Sequence, residues 1–367
     1  MRIAVAMSGG VDSSVAALLL RREGAEVVGL SMHLWDHTRG GEPNEGRCCT
    51  AEDLTTARRA AETIGIAHYV VNLEERFADA VVRPFVSGYL RGETPIPCTV
   101  CNTEVKFKTL LARASALGCE AVATGHYARL EREGGDVRLL RARDLSKDQT
   151  YFLYGLTPAQ LRSALFPVGE MTKPQVREAA REASLPNWDK PDSQEICFVP
   201  ARGGHAQFIR DEAEALGIRL PALSAAQPGN VTDAAGRVLG RHDGTFPFTV
   251  GQRRGLGVAA AEALYVIGVE PEERRVVVGP AEALLSRDVT LRDVNLLVEA
   301  NGPRRVLARV RYRHPEQPAT LETLGGGRAL LVFDEPVRAA APGQSAVFFD
   351  PSRPELVVGG GVIDRAS

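Results

Sequence analysis

Strand-like and helix-like stretches alternate through the first 130 residues, and no other feature constrains the fold as strongly. Residues 2–7 (RIAVAM) read as a buried strand, 13–24 as an amphipathic helix ended by Gly24, and 26–35 as the next strand. A helix over 50–65 opens on a Thr50–Asp53 capping pattern; a strand at 68–73, a helix at 101–118 ended by Gly118 and a strand at 120–126 follow. Alternation of this kind predicts an α/β fold, a parallel sheet with helices on both faces. Residues 40–47 (GGEPNEGR) have loop composition, and Thr172, Lys173 and Pro174 start a further helix at 173–184.

After about residue 200 the pattern changes. A helix at 205–216 gives way to short β-branched runs, from YVIGVE to ELVVGGGVI, separated by Gly, Pro and Asp. They predict a C-terminal β-barrel or sandwich. A chain of 367 residues exceeds one ordinary core, and the expected division is 1–200, 201–269 (a small central domain) and 270–367. The net charge of −2 excludes a global basic field, so any nucleic-acid surface must be a local patch. The apolar run AALLL at 16–20 is too short to span a bilayer, and Ser8, Gly9 and Gly10 interrupt the N-terminal apolar run before a signal sequence forms. A cytoplasmic location and no membrane partner are expected.

MSGGVDSS (7–14) joins the first strand to the first helix. A sharp strand-to-helix turn aims unpaired N–H groups and the helix dipole at one point, which favours an anion. Gly9 and Gly10 allow close backbone approach, Ser8, Ser13 and Ser14 add hydroxyls, and Asp12 suits a Mg²⁺ ion or hydrogen bonds within the loop. The Gly-Lys-Ser/Thr ending of a Walker loop is absent. The segment resembles the SGGxDSS loop of the ATP-pyrophosphatases, which split ATP into AMP and pyrophosphate. That resemblance implies an adenine nucleotide α-hydrolase-like (PP-loop) domain. It implies ATP contacts from Ala6, Met7, Ser8, Gly9, Gly10, Val11, Asp12 and Ser13, with Met32 and Gly125 at the same nucleotide.

Six cysteines are present: Cys48, Cys49, Cys98, Cys101, Cys119 and Cys197. Cys48 and Cys49 read as structural or incidental, and Cys119 as core. Cys98 and Cys101 form CxxC ahead of a helix, with Cys101 expected near its N-terminus, where the dipole favours thiolate. Sulfur chemistry and a structural zinc site with His126 as a further ligand are both open to this pair.

SGGVDSS, TPIPCTVCNTEVKF, ATGHYAR, KDQTYFL, DSQEICF and GQRRGLG occur in the order found in the tRNA 2-thiouridylases, and RVRYR and PGQSAVFFD extend the likeness towards the C-terminus. The resemblance implies adenylation of a uridine C2 oxygen by ATP, then displacement of AMP by sulfur. It assigns Cys197 as persulfide carrier and Cys101 as nucleophile, resolved through a transient disulfide. The expected target is uridine 34 of tRNAs for Lys, Glu and Gln, with a cysteine desulfurase or a sulfur-relay protein as donor. Many members carry Asp where this chain has Cys98, which puts in doubt the proton handling ascribed to that Asp. Cys98, Cys101 and Cys197 also provide the three thiolates of a [4Fe–4S] cluster with one open iron, a rival route for the sulfur.

The same resemblance places Ile96, Pro97 and Cys98 at the target base and His126, Lys147, Asp148, Gln149, Arg311, Tyr312 and Gln344 on the tRNA. In RVLARVRYR the residues Val306, Ala308, Val310 and Tyr312 are expected on one strand face and Arg305, Arg309, Arg311 and Arg313 on the other. No acidic residue alternates with these arginines, so the row reads as a phosphate-binding face. The GQRRGLG loop either contacts RNA or joins domains. Two other functions are carried forward: an ATP-pyrophosphatase ligase delivering nitrogen, which would not need Cys101 and Cys197, and a non-catalytic RNA-binding module.

Overall fold

The computed structural model describes residues 1–35, 50–192, 196–200, 203–299 and 302–366. The expected loop at 40–47, Cys48 and Cys49 lie outside them. The chain packs as two compact units, one of 1–81, 98–199 and 355–357, the other of 82–97, 200–354 and 358–367.

The first unit holds the expected parallel sheet. Its strands are β1 (Arg2–Ala6), β2 (Glu26–His33), β3 (Ala67–Asn72), β4 (Ala121–Thr124) and β7 (Ala164–Leu165), in the order β3-β2-β1-β4-β7. Every pairing is parallel, with Ile3 opposite Val27 on one side and Ala121 on the other. The chain runs outward from β1 through β2 and β3, then returns to β1's other side as β4. Strand order therefore reverses at β1, and in open α/β sheets ligands bind beyond the strand C-termini at such a reversal. MSGG leaves β1 at that point.

Helix α1 (Val11–Arg22) starts two residues before the expected position, with Gly10 as N-cap. It buries Val11, Val15, Ala16 and Leu20 against the sheet. Helix α2 (Ala51–Ile64) carries the capping box expected at Thr50 and Asp53 and ends on Gly65 in the left-handed region, φ 75°. A hairpin of β5 (Ala128–Glu133) and β6 (Asp136–Arg141) was not among the expected elements. It turns on Gly134 and Gly135, both at positive φ, and a Gly-Gly pair suits a tight hairpin turn.

The stretch expected as one helix from Cys101 is different. A helical turn at Pro97–Val100 precedes a π-helical segment, Cys101–Phe107, and a regular helix, Lys108–Ala116. Pro97 starts the path because its fixed φ and missing N–H suit a first helical position. Cys98 lies in the first turn and Cys101 one turn further in, where the N-terminal dipole has faded. Contrary to the sequence expectation, the helix dipole therefore does not favour a thiolate at Cys101.

The second unit contains a four-stranded sheet, β8 (Gly229–Thr232), β9 (Val238–His242), β10 (Tyr265–Glu270) and β11 (Arg275–Gly279), in the order β10-β11-β8-β9. It also contains a closed barrel of β12 (Leu285–Leu296), β13 (Arg304–Arg309), β14 (Gln317–Gly325), β15 (Arg328–Arg338), β16 (Ser345–Phe349) and β17 (Val357–Ala366). Val306, Ala308, Leu321, Leu331, Phe333 and Phe348 fill its interior. Closure leaves no open edge, which protects strands this apolar from pairing with other chains. Among the described residues no helix is long and apolar enough to cross a membrane.

Candidate active site

The loop between β1 and α1 is shaped mainly by its own hydroxyls. Ser13 Oγ and Ser14 Oγ donate to the Gly10 carbonyl at 3.0 and 3.2 Å, and Ser13 Oγ accepts from Ser8 N at 3.2 Å. Gly9 has φ 77°, and a Cβ there would lie 2.4 Å from the Asp53 carbonyl oxygen. Its role is thus close packing on the start of α2, whereas a Cβ on Gly10 would meet only Ser8 Oγ, at 3.5 Å. Gly10 is the glycine that leaves the loop open. A Cβ on Gly125, just after β4, would strike Ser13 N at 2.5 Å. Gly125 therefore lets the end of the neighbouring strand pack directly on the start of α1.

Residues distant in sequence hold this loop. Asn187 Nδ2 donates to the Gly9 carbonyl and to Ser14 Oγ, both at 3.0 Å, and Lys190 pairs with the buried carboxylate of Asp53. Asp12 Oδ1 accepts from Tyr127 Oη at 2.9 Å and from Lys173 Nζ at 2.6 Å. Lys173 is buried and also lies 2.7 Å from Asp192, which accepts from Lys147 at 2.7 Å. Burial, then the charge of Asp12, push the Tyr127 phenol far up, so it is a fixed donor. Burial opposes charge on Asp192, but hydrogen bonds from Lys147 and Lys173 outweigh it and hold its carboxyl below the ordinary value.

Lys173, Asn187, Lys190 and Asp192 were not among the sequence-derived site residues. Asp192 opens the DSQEICF segment, but no local pattern marks any of the four as a partner of the loop; only the fold brings them there. Met7, Ala6 and Val11 are buried, and Met32 lies almost wholly buried near the end of β2.

Lys147, Asp148 and Gln149 are turned to internal work. Asp148 is buried and its carboxylate accepts from Ala142 N at 3.2 Å and Thr150 Oγ1 at 2.8 Å; Gln149 Oε1 accepts from Tyr127 N at 2.9 Å. His126 pairs through Nδ1 with Thr124 Oγ1 at 2.7 Å and packs between Phe107 and Phe166, at 6.3 and 6.2 Å between ring centroids. Burial, then the charge of Lys106, hold it well below the ordinary histidine value, so at neutral pH it is an uncharged imidazole.

Cys98 is exposed, Cys101 buried and Cys197 half-buried. Phe198 anchors the chain beside Cys197 in an aromatic cluster with Trp35 and Phe77, at 6.2 and 5.5 Å. Trp35 and Phe77 follow β2 and β3, so this cluster belongs to the same sheet edge as the loop. Asn102 Nδ2 bonds the Phe152 carbonyl at 3.0 Å and fixes the π-helical segment beside Cys101. Burial raises the Cys119 thiol, as a core residue requires. Among the described residues no three His, Cys, Asp or Glu side chains gather as a metal site.

The barrel corrects the reading of the arginine row. β13 ends at Arg309, and its arginines meet carboxylates from other parts of the barrel: Arg304 with Asp350 at 2.8 Å, Arg305 with Asp334 at 2.5 Å, and Arg309 with Glu316. Arg311 donates to the carbonyls of Ala339 and Val250, at 2.9 and 3.0 Å. It lines a cleft of about 370 Å³ together with Thr94, Gly251, Gln252 and Gln344. Gln344 Nε2 donates to the Thr94 carbonyl at 2.8 Å, two residues before Ile96 and Pro97. Tyr312 is half-buried.

Family models match the chain in three consecutive blocks: a tRNA methyl transferase HUP domain over 1–201, a tRNA methyl transferase PRC-barrel domain over 220–280 and an aminomethyltransferase β-barrel domain over 286–363. The tRNA-specific 2-thiouridylase MnmA of Solibacter usitatus is 50% identical, covering 99% of both chains. That of Koribacter versatilis is 48% identical over 98% of each. The chain belongs to the tRNA-specific 2-thiouridylase family. A 4-thiouridine synthetase–RNA complex with bound ATP matches at TM-score 0.35 and 14% identity, over 59% of this chain and 51% of that one. For a 2-thiouridylase family member, loop, cysteines and aromatic anchor share one compact unit.

Proposed function

We propose that this protein replaces the C2 oxygen of tRNA uridine 34 with sulfur, using ATP, in tRNAs for Lys, Glu and Gln in the cytoplasm. The observation that carries the reading is the serine-braced loop at the sheet's reversal point, in the same unit as Cys101 and Cys197. A simple ATP-binding module has no use for that cysteine pair.

The C2 oxygen attacks the α-phosphorus of ATP, the α–β phosphoanhydride breaks and pyrophosphate leaves. The N–H groups at the start of α1 and Gly10 receive the phosphates, with Met32 and Gly125 beside the adenine. Asp12 keeps Oδ2 without a hydrogen bond among the described residues, a hard oxygen suited to Mg²⁺. A bound Mg²⁺ supplies charge neutralisation to the phosphates. The terminal sulfur of a Cys197 persulfide then attacks C2, the C2–O bond breaks and AMP departs. Cys101 thiolate attacks Cys197 Sγ, the S–S bond breaks, and sulfur stays on C2 while a Cys101–Cys197 disulfide forms. A dithiol reductant restores both thiols, and a cysteine desulfurase, directly or through a relay protein, reloads Cys197. Ile96, Pro97 and Cys98 face the flipped base. Neutral His126 serves as a hydrogen-bonding contact to RNA; Lys147 and Gln149 support the site by holding Asp192 and Tyr127, and Asp148 braces the same segment through Ala142 and Thr150. Arg311, Tyr312 and Gln344 contact the tRNA around the cleft.

The test is nucleoside mass spectrometry on unmodified tRNA incubated with protein, Mg-ATP, cysteine and a cysteine desulfurase. The expected outcome is an oxygen-to-sulfur mass gain at uridine 34, lost in Cys101→Ser and Cys197→Ser while ATP still binds. No gain with folded protein would overturn the reading in favour of an ATP-dependent ligase.

A further inference from the structure

The arginines best placed by sequence to hold phosphate are already paired. Arg304, Arg305 and Arg309 meet Asp350, Asp334 and Glu316. The loop at 249–257 shows the opposite condition. Arg253 and Arg254 are exposed and have no ion pair or side-chain hydrogen bond among the described residues. From 244 to 261 the chain carries no acidic residue.

This loop is held firmly. Phe248 before it and Leu256 within it are buried in the core of the four-stranded sheet. Gly251 N donates to the Val266 carbonyl at 2.8 Å and Val266 N to the Gln252 carbonyl at 2.9 Å. The Gln252 side chain bridges the tip: Oε1 accepts from Thr249 N at 3.1 Å and Nε2 donates to the Arg254 carbonyl at 2.9 Å. Gly251, Gly255 and Gly257 all sit at positive φ, which the turns require. Arg311 closes the back by donating to the Val250 carbonyl at 3.0 Å. Two adjacent guanidinium groups are thus presented on a fixed backbone beside the cleft lined by Gly251, Gln252, Arg311 and Gln344.

We propose that Arg253 and Arg254 form a preorganised phosphate clamp for the tRNA backbone, and that this loop, rather than the arginine face of β13, carries the electrostatic part of RNA binding in the barrel-bearing unit. The inference rests on the tRNA reading above. Two free guanidinium groups on a rigid loop fit consecutive backbone phosphates, which fix register without reading sequence. Arginines held by carboxylates have no comparable gain, because each phosphate contact first breaks an ion pair.

The experiment measures the Kd for unmodified tRNA as a function of KCl for the full-length protein, Arg253→Gln/Arg254→Gln and Arg305→Gln. Each lost phosphate contact removes about one from the slope of log K against log salt. The double loop variant is expected to lose about two from the slope and roughly tenfold in affinity near 0.1 M salt, with ATP binding unchanged. Arg305→Gln is expected to keep the wild-type slope. A wild-type slope in the double variant, or a reduced one in Arg305→Gln alone, overturns the assignment. Wild-type protein that bound no tRNA at any salt would defeat the tRNA reading itself.

Discussion

The phosphate-loop unit and the barrel both carry many charged side chains, but they use them in opposite ways. Around the loop, Asp12, Asp53, Lys147, Lys173, Lys190 and Asp192 converge from positions up to 161 residues apart in directly bonded pairs, and Asp53 and Lys173 are buried. On the barrel, Arg305 and Asp334 meet across solvent-exposed strand faces, 55% and 48% exposed. A buried ion must be matched or it costs several kcal/mol; an exposed pair is screened and contributes little. The first arrangement therefore is a network that the fold must hold matched, and the Arg305–Asp334 pair only part of a solvated surface.

The largest effect on activity is expected at Lys173. Lys173→Met removes the cation shared by Asp12 and Asp192; both carboxylates are part-exposed and Asp192 keeps Lys147, so the loss is expected at about 1.5–3 kcal/mol, that of a hydrogen bond to a charged group. The variant is expected to unfold at markedly lower denaturant. Under the proposed reaction its pyrophosphate release should also fall on the order of 10²-fold, the usual loss when one charge-stabilising donor is removed. Urea titration and a pyrophosphate-release assay with tRNA check both. A variant as stable and active as wild type would erase the contrast between the two regions.

A core substitution in the barrel asks whether the barrel's stability resides in its apolar interior. Leu331 is fully buried there, and Leu331→Ala is expected to cost about 2–5 kcal/mol through lost transfer energy and a residual cavity. ATP binding at the loop should persist at temperatures where the variant is folded. Calorimetry with and without ATP reads both quantities.

Much of the loop unit was legible because its signals are local. A buried strand, two glycines and a helix start lie within a dozen residues. The Thr50–Asp53 capping box spans four, and it appears with both hydrogen bonds, Thr50 N to Asp53 at 3.0 Å and Asp53 N to Thr50 Oγ1 at 3.1 Å. What could not be read was any pairing made by the fold. Lys173 lies 161 positions from Asp12, and Asn187 lies 178 from Gly9. The same blindness misjudged the arginine row, since its carboxylates come from Asp334, Asp350 and Glu316 and not from alternating positions in β13. The π-helical segment at Cys101 was also hidden, because its apolar spacing resembles that of a regular helix. Met32 shows the limit from the other side: burial alone makes it core, and only family likeness gives it a nucleotide.

Acid pH sharpens the comparison further. His126 is held well below its ordinary value by burial first, so the folded protein keeps it neutral where the unfolded chain takes up a proton. Its contribution is complete above a pH of about 6.5 and is lost progressively below that, by up to about 1.4 kcal/mol per pH unit. His126→Asn should flatten the stability profile between pH of about 6.5 and 5 by part of that slope, as read by urea unfolding at each pH. An unchanged profile would mean that the imidazole takes up its proton in the folded state and is not the neutral contact described here.

The smallest effect belongs to an ion pair of the arginine row. Arg305 donates to both carboxylate oxygens of Asp334, at 2.8 and 2.5 Å, good geometry on an exposed face. Holding two long side chains in one arrangement costs entropy, and water already solvates each charge well. Arg305→Gln, Asp334→Asn and the double variant should share the wild-type thermal midpoint within measurement scatter, and added salt should not separate them. A coupling that survives high salt would show that this strand pair is shielded from solvent. The barrel arginines would then belong with the buried network at the loop, and their exposure would have to be judged by what covers them in the working complex.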